Sequence, residues 1–261
     1  MRSTSIVLLA ALALPGTTLV AQTSQPNHMH ALKTVPSYVS AAVKDPARGQ
    51  NATNDARRKI TDIMIFSQVK PGQKVLELIP GSGYFTQVFS DIVGSSGHVY
   101  ALWPDEYVKV DGDEVAPFEK MVASPHYANV SVLKQPAAQL SVPESVDLVF
   151  TSQNYHDYPD KFMGKVDPVA FDKQVFAALK PGGLFVVIDH VAPAGSGMAD
   201  TDTLHRIDPA IVKQQVESAG FVFDGESNVL RNRNDPHTNK VFDKSIRGHT
   251  DQFMYRFRKP G

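Results

Sequence analysis

Two histidine–carboxylate dipeptides carry the most evident chemistry of this chain. His156-Asp157 follows the apolar run Val146 to Phe150, and Asp189-His190 closes the run Leu184 to Asp189. A histidine with a carboxylate on one ring nitrogen is held in one tautomer and becomes a better base at the other nitrogen. Such a base suits the removal of a proton from an oxygen or nitrogen nucleophile. His205, Arg206 and Asp208 precede a helical stretch and can serve the same mouth, or act as capping and packing residues. Three histidines with carboxylates also match the donors of a zinc or iron site, but no compact spacing such as His-Glu-x-x-His is present, and no metal ligand is assigned. The chain has no cysteine, which excludes disulfides and thiolate metal sites.

A third constellation is Val75-Leu76-Glu77-Leu78-Ile79-Pro80-Gly81-Ser82-Gly83-Tyr84. An apolar run closes in an acid and a glycine turn, and Phe85, Val88, Phe89 and Ile92 then recur at helical spacing. Strand, tight turn and helix bring backbone N–H groups and a helix N-terminus up to a bound ligand.

Strands and helices alternate around these motifs. The spacing predicts a helix over 55–67 with Thr53 or Asn54 as its cap, a strand at 74–79, a helix at 84–93 and a strand from His98 to Trp103. A helix at about 114–123 follows, then strands at 130–133 and 146–150, a helix at about 168–179 and a strand at 184–189. A helix at 209–219 and strands at 221–224 and 252–258 complete the series. That alternation implies an α/β, doubly wound, Rossmann-like sheet with helices on both faces. Such sheets bind ligands beyond the carboxyl ends of their strands, where the strand order reverses. The ends of the strands before His156 and His190 are neighbours there, so the two His–carboxylate pairs are expected to converge. Phe85, Phe89, Phe150, Phe171, Phe176 and Phe185 fall at core spacing and read as packing.

At these positions the chain resembles the class I S-adenosylmethionine-dependent methyltransferases over about residues 55–261. The resemblance rests on Val75 to Gly83, Val146 to Phe150 and the turn Leu179-Lys180-Pro181-Gly182-Gly183. More narrowly it is similar to a group of exported bacterial proteins known as predicted methyltransferases, through Glu77 to Tyr84, Asn154-Tyr155-His156-Asp157, Asp189-His190, Leu204 to Asp208 and Thr250 to Phe253. The resemblance implies a seven-stranded sheet with an antiparallel last strand and S-adenosylmethionine as cofactor. It implies cofactor contacts at Glu77, Pro80, Gly81, Gly83, Tyr84, Trp103 and Asn154, and chemistry at His156, Asp157, Asp189, His190 and His205, with His156 or His190 as general base. The chain departs from the family in two places. Ile79 and Pro80 stand where the glycine loop usually has its first glycine, and Trp103 replaces the acid that ends the second strand. Asp105 or Glu106 could take over from that acid, and Trp103 could stack on an adenine or pack. An alternative is a methyltransferase fold reassigned to a His-based or metal-assisted hydrolase or lyase reaction, or to ligand binding without methyl transfer.

Composition bounds the remainder. With 261 residues, 42% hydrophobic and 20% charged, the chain suits one domain with extensions, and a net charge of −1 points to neither a nucleic-acid nor a membrane-surface partner. Arg2, the apolar stretch Ile6 to Leu14 and the small residues up to Ala21 read as a signal peptide over 1–21, too short to span a bilayer. An exported, periplasmic or secreted protein without a membrane anchor is expected. Residues 22–50 read as an N-terminal arm in which His28 and His30 form a poor ligand set, and 51–261 as the methyltransferase-like domain. Within it, 226–251 reads as a lid-like insert whose Arg231, Arg233, Lys240, Lys244, Arg247 and His249 could greet an anionic small-molecule substrate, or form a solvated hairpin offset by Asp235, Asp243 and Asp251. Asp55, Arg57 and Arg58 could edge the site in the same way.

Overall fold

The computed structural model describes Met1 and residues 34–261, so the expected signal peptide and His28 and His30 lie outside the described residues. Seven apolar runs become strands: β1 (Lys74–Leu78), β2 (His98–Pro104), β3 (Val130–Gln135), β4 (Val146–Ser152), β5 (Leu179–His190), β6 (Val222–Ser227) and β7 (Gln252–Arg258). They form one sheet in the order β3-β2-β1-β4-β5-β7-β6. β1 to β5 pair in parallel, and β7 runs antiparallel to both β5 and β6. Strand order reverses between β1 and β4, which sets the ligand crevice at their carboxyl ends.

Successive strand residues face opposite sides, and both sides are apolar because helices cover both. Leu76, Leu78, Leu102, Val149, Phe185, Val187 and Phe257 enter one buried cluster, whereas Val75, Val99, Leu148, Phe150, Leu184, Val186 and Ile188 enter the other. The second cluster is closed by α1 (Ser37–Val43), α3 (Ile60–Ser67) and α4 (Tyr84–Val93), through Val39, Ala42, Ile63, Met64, Val88 and Ile92. Residues 35–50, expected as an arm, therefore belong to the folded unit, which runs from Val35 to Gly261. The first cluster is covered by α6 (Val115–Val122), α7 (Pro168–Ala178) and α9 (Pro209–Ser218). Asp167 and Asp208 cap α7 and α9 by accepting the amides of Ala170 and Ala210, with proline opening each helix.

Three local differences from the sequence reading affect the site. The helix expected over 55–67 is split into α2 (Asp55–Arg58) and α3, because Lys59 adopts φ 53°. Neither Thr53 nor Asn54 caps it through its side chain. An additional helix, α5 (Asp105–Asp111), follows β2 directly, and α8 (Thr201–Leu204) precedes α9. Among the described residues no helix is long and apolar enough to cross a membrane.

Candidate active site

A cavity of about 680 Å³ opens at the carboxyl ends of β1, β4 and β5, within the range of small-ligand sites. One wall is the turn after β1. Ile79 and Gly81 both hold left-handed backbone angles, φ 50° and 56°. For a β-branched residue that conformation is an outlier costing roughly 1–2 kcal/mol. It is enforced by the Ile79 amide, which donates to the Leu102 carbonyl at 2.8 Å. Ile79, Pro80, Gly81, Ser82 and Tyr84 all line the cavity. Gly83 does not: it starts α4 at φ 79°, and a Cβ there would overlap Met121 on α6. Its freedom serves helix packing rather than a ligand. Among the described residues the amides of Gly81 and Ser82 donate to no protein acceptor, leaving two N–H groups at the cavity wall.

Glu77 stands beneath this turn, 2% exposed, and accepts the Thr86 hydroxyl at 2.5 Å. Burial pushes its carboxyl up to about 8, against the pull of Thr86 and of the Arg58 cation. Arg58 lies 4.3 Å over the Tyr84 ring and 4.6 Å over Phe85 and reaches the cavity. Its neighbour Asp55 is committed elsewhere, holding Arg48 through two 2.7 Å bonds and accepting the Tyr84 hydroxyl at 2.8 Å. Arg57 turns to the Gly248 carbonyl and Asn54.

Trp103 is not at the cavity. Its ring is fully buried against Phe118 and Tyr107, with the indole Nε1 unpaired. The strand's pleat sends it into the sheet's own core, so it packs rather than stacks on a ligand. Asp105 and Glu106 do not reach the cavity either, and Glu106 accepts the Ala137 amide at 2.7 Å. Two acids that sequence reading missed do so: Asp111 at the end of α5 and Glu114 just before α6. Tyr107 joins them. The signal was Pro104 followed by two acids, a helix start whose first turn favours negative charge.

The opposite wall gathers His156, Asp157, His190 and His205 with Asn154. The pairing differs from sequence adjacency. His156 Nδ1 faces Asp189 Oδ1 at 2.8 Å, and the His156 amide donates to Asp189 Oδ2 at 2.9 Å. β4 and β5 run in parallel register, Ser152 beside Ile188, which puts the turn after β4 over the end of β5. Among the described residues the His190 ring has no carboxylate partner; its Nδ1 lies 2.8 Å from the Thr250 hydroxyl, and its amide donates to Asp189 Oδ1. The Asn154 amide donates to Asp157 Oδ2 at 3.3 Å. His156 Nε2 lies 3.3 Å from Asp157 Oδ1 and 3.4 Å from His205 Nδ1.

Charge follows from these contacts. Burial opposes a proton on His156, but Asp189 and Asp157 outweigh it and lift the imidazole to about 9. Burial raises Asp157 to about 6 despite the neighbouring imidazolium. Asp189 is buried too, yet His156 holds it below the usual carboxylate range. Burial presses His190 down to about 3. His205 is lowered by burial and by the His156 charge. At neutral pH the cluster therefore holds one cationic and two neutral histidines.

His205, the residue after α8, is a non-glycine at φ 54°. Arg206, fully buried, locks that corner by donating to Asp235, to the Asn239 carbonyl and to the Val191 carbonyl. Asp208 accepts the amides of Gly195 and Ala210. Arg206 and Asp208 are thus structural, and of that segment His205 alone reaches the cavity. The 226–251 insert is organised around the buried acids Asp235 and Asp251. Asp251 takes Arg231 through two bonds of 2.8 and 2.9 Å and His237 at 3.0 Å. Of its cationic residues Arg247 lines this cavity, with Val241 and Phe242; Arg231 and His249 border an adjoining cleft of about 400 Å³.

The sequence model of the protein-L-isoaspartate(D-aspartate) O-methyltransferase family matches residues 25–109. The chain is 28% identical over 188 residues to the ubiquinone/menaquinone biosynthesis C-methyltransferase of Vibrio campbellii, covering 71% of this chain and 62% of that protein. It thus spans somewhat less than two thirds of that relative's length. Among solved structures, a SAM-dependent methyltransferase from Aquifex aeolicus aligns with TM-score 0.55 at 20% identity, over 87% of this chain and 99% of that one. A glycopeptide N-methyltransferase complexed with S-adenosylmethionine aligns with TM-score 0.52 at 16% identity, over 77% and 87%. These structural likenesses carry the fold, including the antiparallel β7.

Proposed function

The chain belongs to the class I S-adenosylmethionine-dependent methyltransferase superfamily, and from that premise we propose that it transfers the methyl group of S-adenosylmethionine to a small molecule within the cavity. The observation that carries this is the cavity's two-sided lining: the turn after β1 on one wall and a histidine–carboxylate cluster on the other. The residues present fit the cofactor. Unpaired amides at Gly81 and Ser82, the carboxylates of Asp111 and Glu114, and the cations of Arg58 and Arg247 match the hydroxyl, amino and carboxylate groups of a nucleoside with an amino-acid tail. A solved neighbour of the same fold is a complex with S-adenosylmethionine.

When bound, the cofactor supplies a methyl group on a sulfonium that leaves as a neutral thioether. The chain's own task is to hold the nucleophile and take its proton. His156 already carries a proton at neutral pH and His190 is scarcely basic, so His205, neutral and half-buried at the cavity wall, accepts it. Asp189 fixes the His156 ring, and the His156 charge keeps His205 from being protonated beforehand. Arg58 and Arg247 favour an anionic substrate. The N-terminal sequence supports export to the periplasm or medium. A second reading, the same cavity given over to another reaction or to binding alone, is favoured by Ile79, whose side chain occupies a wall that a close-fitting cofactor would need.

The test is transfer of labelled methyl from S-adenosylmethionine to a panel of small phenols, amines and carboxylates. Turnover that falls on the order of 100-fold or more in His205→Gln, with the melting temperature kept, is expected for loss of a general base. A wild-type protein that binds the cofactor yet labels no member of a broad panel would favour the second reading.

A further inference from the structure

We propose that His156, Asp157 and His205 form a binding site for one divalent transition-metal ion, with an open coordination position facing the cavity for a substrate oxygen. The inference goes beyond methyl transfer and alters one part of it: in the ion-loaded protein His205 is a ligand rather than a base, and the ion itself would lower the pKa of a bound substrate hydroxyl.

The donors form a triangle. His156 Nε2, Asp157 Oδ1 and His205 Nδ1 are separated by 3.3, 3.4 and 3.9 Å. Ligands about 2.0–2.1 Å from a tetrahedral zinc ion lie about 3.4 Å from one another, so two edges already have the length of a tetrahedral face and the third needs a small side-chain movement. Hydrogen bonding accounts for the triangle poorly. A single N–H on His156 Nε2 cannot point at two acceptors, and both separations exceed the usual length of such bonds. The three atoms lie within 4.8 Å of one another, and all three residues line the cavity; an ion would displace the proton from His156 Nε2.

The surroundings are built as metal sites are. Asp189 Oδ1 takes the other nitrogen of His156, which fixes the ring so that Nε2 faces the triangle. Asn154 holds Asp157 Oδ2, leaving Oδ1 as the free donor. Asp160 follows in the same turn with a buried Oδ2 that has no partner among the described residues. His205 sits in a left-handed conformation that costs a non-glycine residue energy, and the fold retains it by locking Arg206. Two imidazoles and one carboxylate with open positions suit zinc or iron(II) rather than magnesium or calcium. The open face points to the cavity shared with the cofactor wall, so the substrate class is one that presents a hydroxyl or oxyanion as a ligand.

A second group, Asp45, Asp91 and His126, could also gather an ion, at a more exposed place, and the test must separate the two. The untagged full chain is stripped with chelator, reloaded with zinc or cobalt(II), and analysed for bound metal and for the cobalt visible spectrum. The expected result is one equivalent per chain with the intense bands of a tetrahedral cobalt site, unchanged in His126→Ala. Asp157→Asn and His205→Gln should each lose it, and Asp189→Asn should weaken it by about 10–100-fold, the usual effect of removing an orienting carboxylate. Less than a tenth of an equivalent in the wild type, or loss in His126→Ala with retention in both ligand variants, overturns the proposal. Cofactor binding measured on stripped and loaded protein keeps the outcome separate from the methyltransferase reading, and melting curves confirm that each variant folds.

Discussion

Replacing Glu77 by glutamine isolates the cost of burying an acid beneath the turn after β1. Among the described residues Glu77 has one side-chain partner, the Thr86 hydroxyl, and feels the Arg58 cation only at a distance, so burial dominates and lifts the folded pKa from 4.5 to about 8. The folded chain therefore keeps a proton that the unfolded chain gives up. The stability associated with the neutral carboxyl is complete below pH 4.5 and is lost as pH rises through about 8. At about 1.4 kcal/mol per pH unit the loss is roughly 3 kcal/mol by pH 7 and roughly 4 by pH 8. A glutamine side chain cannot ionise, so the variant should lack this component, while every other titrating group cancels in the comparison. Urea unfolding of both proteins at intervals from pH 4.5 to 8.5 reads the difference directly. The wild type should lose about 3 kcal/mol more than Glu77→Gln between pH 4.5 and 7. Curves that stay parallel within about 0.5 kcal/mol, an ordinary surface-mutation effect, would show that Glu77 ionises in the fold and refute the reasoning.

Three further substitutions probe the site and its supports. Ile79→Gly relieves roughly 1–2 kcal/mol of backbone strain but gives up a buried side chain worth roughly 1.5–3. The protein should be slightly less stable in thermal melts and bind S-adenosylhomocysteine several-fold more tightly; unchanged affinity would clear the Ile79 side chain of any obstruction. Arg206→Met strips the buried Asp235 of its cation and should cost about 3–5 kcal/mol in urea unfolding, whereas a loss below about 1 would mean that the corner behind His205 is held by other contacts. Trp103→Phe removes an unpaired buried indole nitrogen, so stability should change by no more than about 2 kcal/mol. Its S-adenosylhomocysteine affinity should stay within twofold by calorimetry, and a tenfold loss would return Trp103 to the ligand.

The sheet was legible because its central strands are apolar runs bounded by glycine and proline turns and its last strand alternates Phe253, Tyr255 and Phe257 with polar residues, and α4 because Phe85, Val88, Phe89 and Ile92 hold helical spacing against Gly83 and Gly94. α5 was not: its seven residues are mostly polar, with Tyr107 and Val108 as its contribution to the core. The break at Lys59 leaves no mark in the hydrophobic pattern, since a left-handed lysine looks like any other in sequence. That His156 and His190 share a cavity follows from strand ends alone, whereas His205, which follows α8, was open in sequence between the site and a packing role. The partnership of His156 with Asp189 depends on the register of β4 on β5 and on the turn at 155–157, which residue order does not encode. Trp103 was ambiguous for the same reason, because a residue at a strand end can face the cavity or the core. In the insert, charges read as mutually offsetting on a surface are in fact ordered around Asp235 and Asp251, a distinction that burial reveals and composition hides.

The central claim is that the cavity between the turn after β1 and the histidine cluster holds S-adenosylmethionine. Calorimetric titration of the purified chain with S-adenosylmethionine and S-adenosylhomocysteine tests it most directly. The account predicts one site of micromolar affinity, roughly −8 kcal/mol, that is lost when Gly81 is changed to valine. No heat and no thermal shift at millimolar ligand would contradict it, leaving the fold intact and the cavity to another ligand.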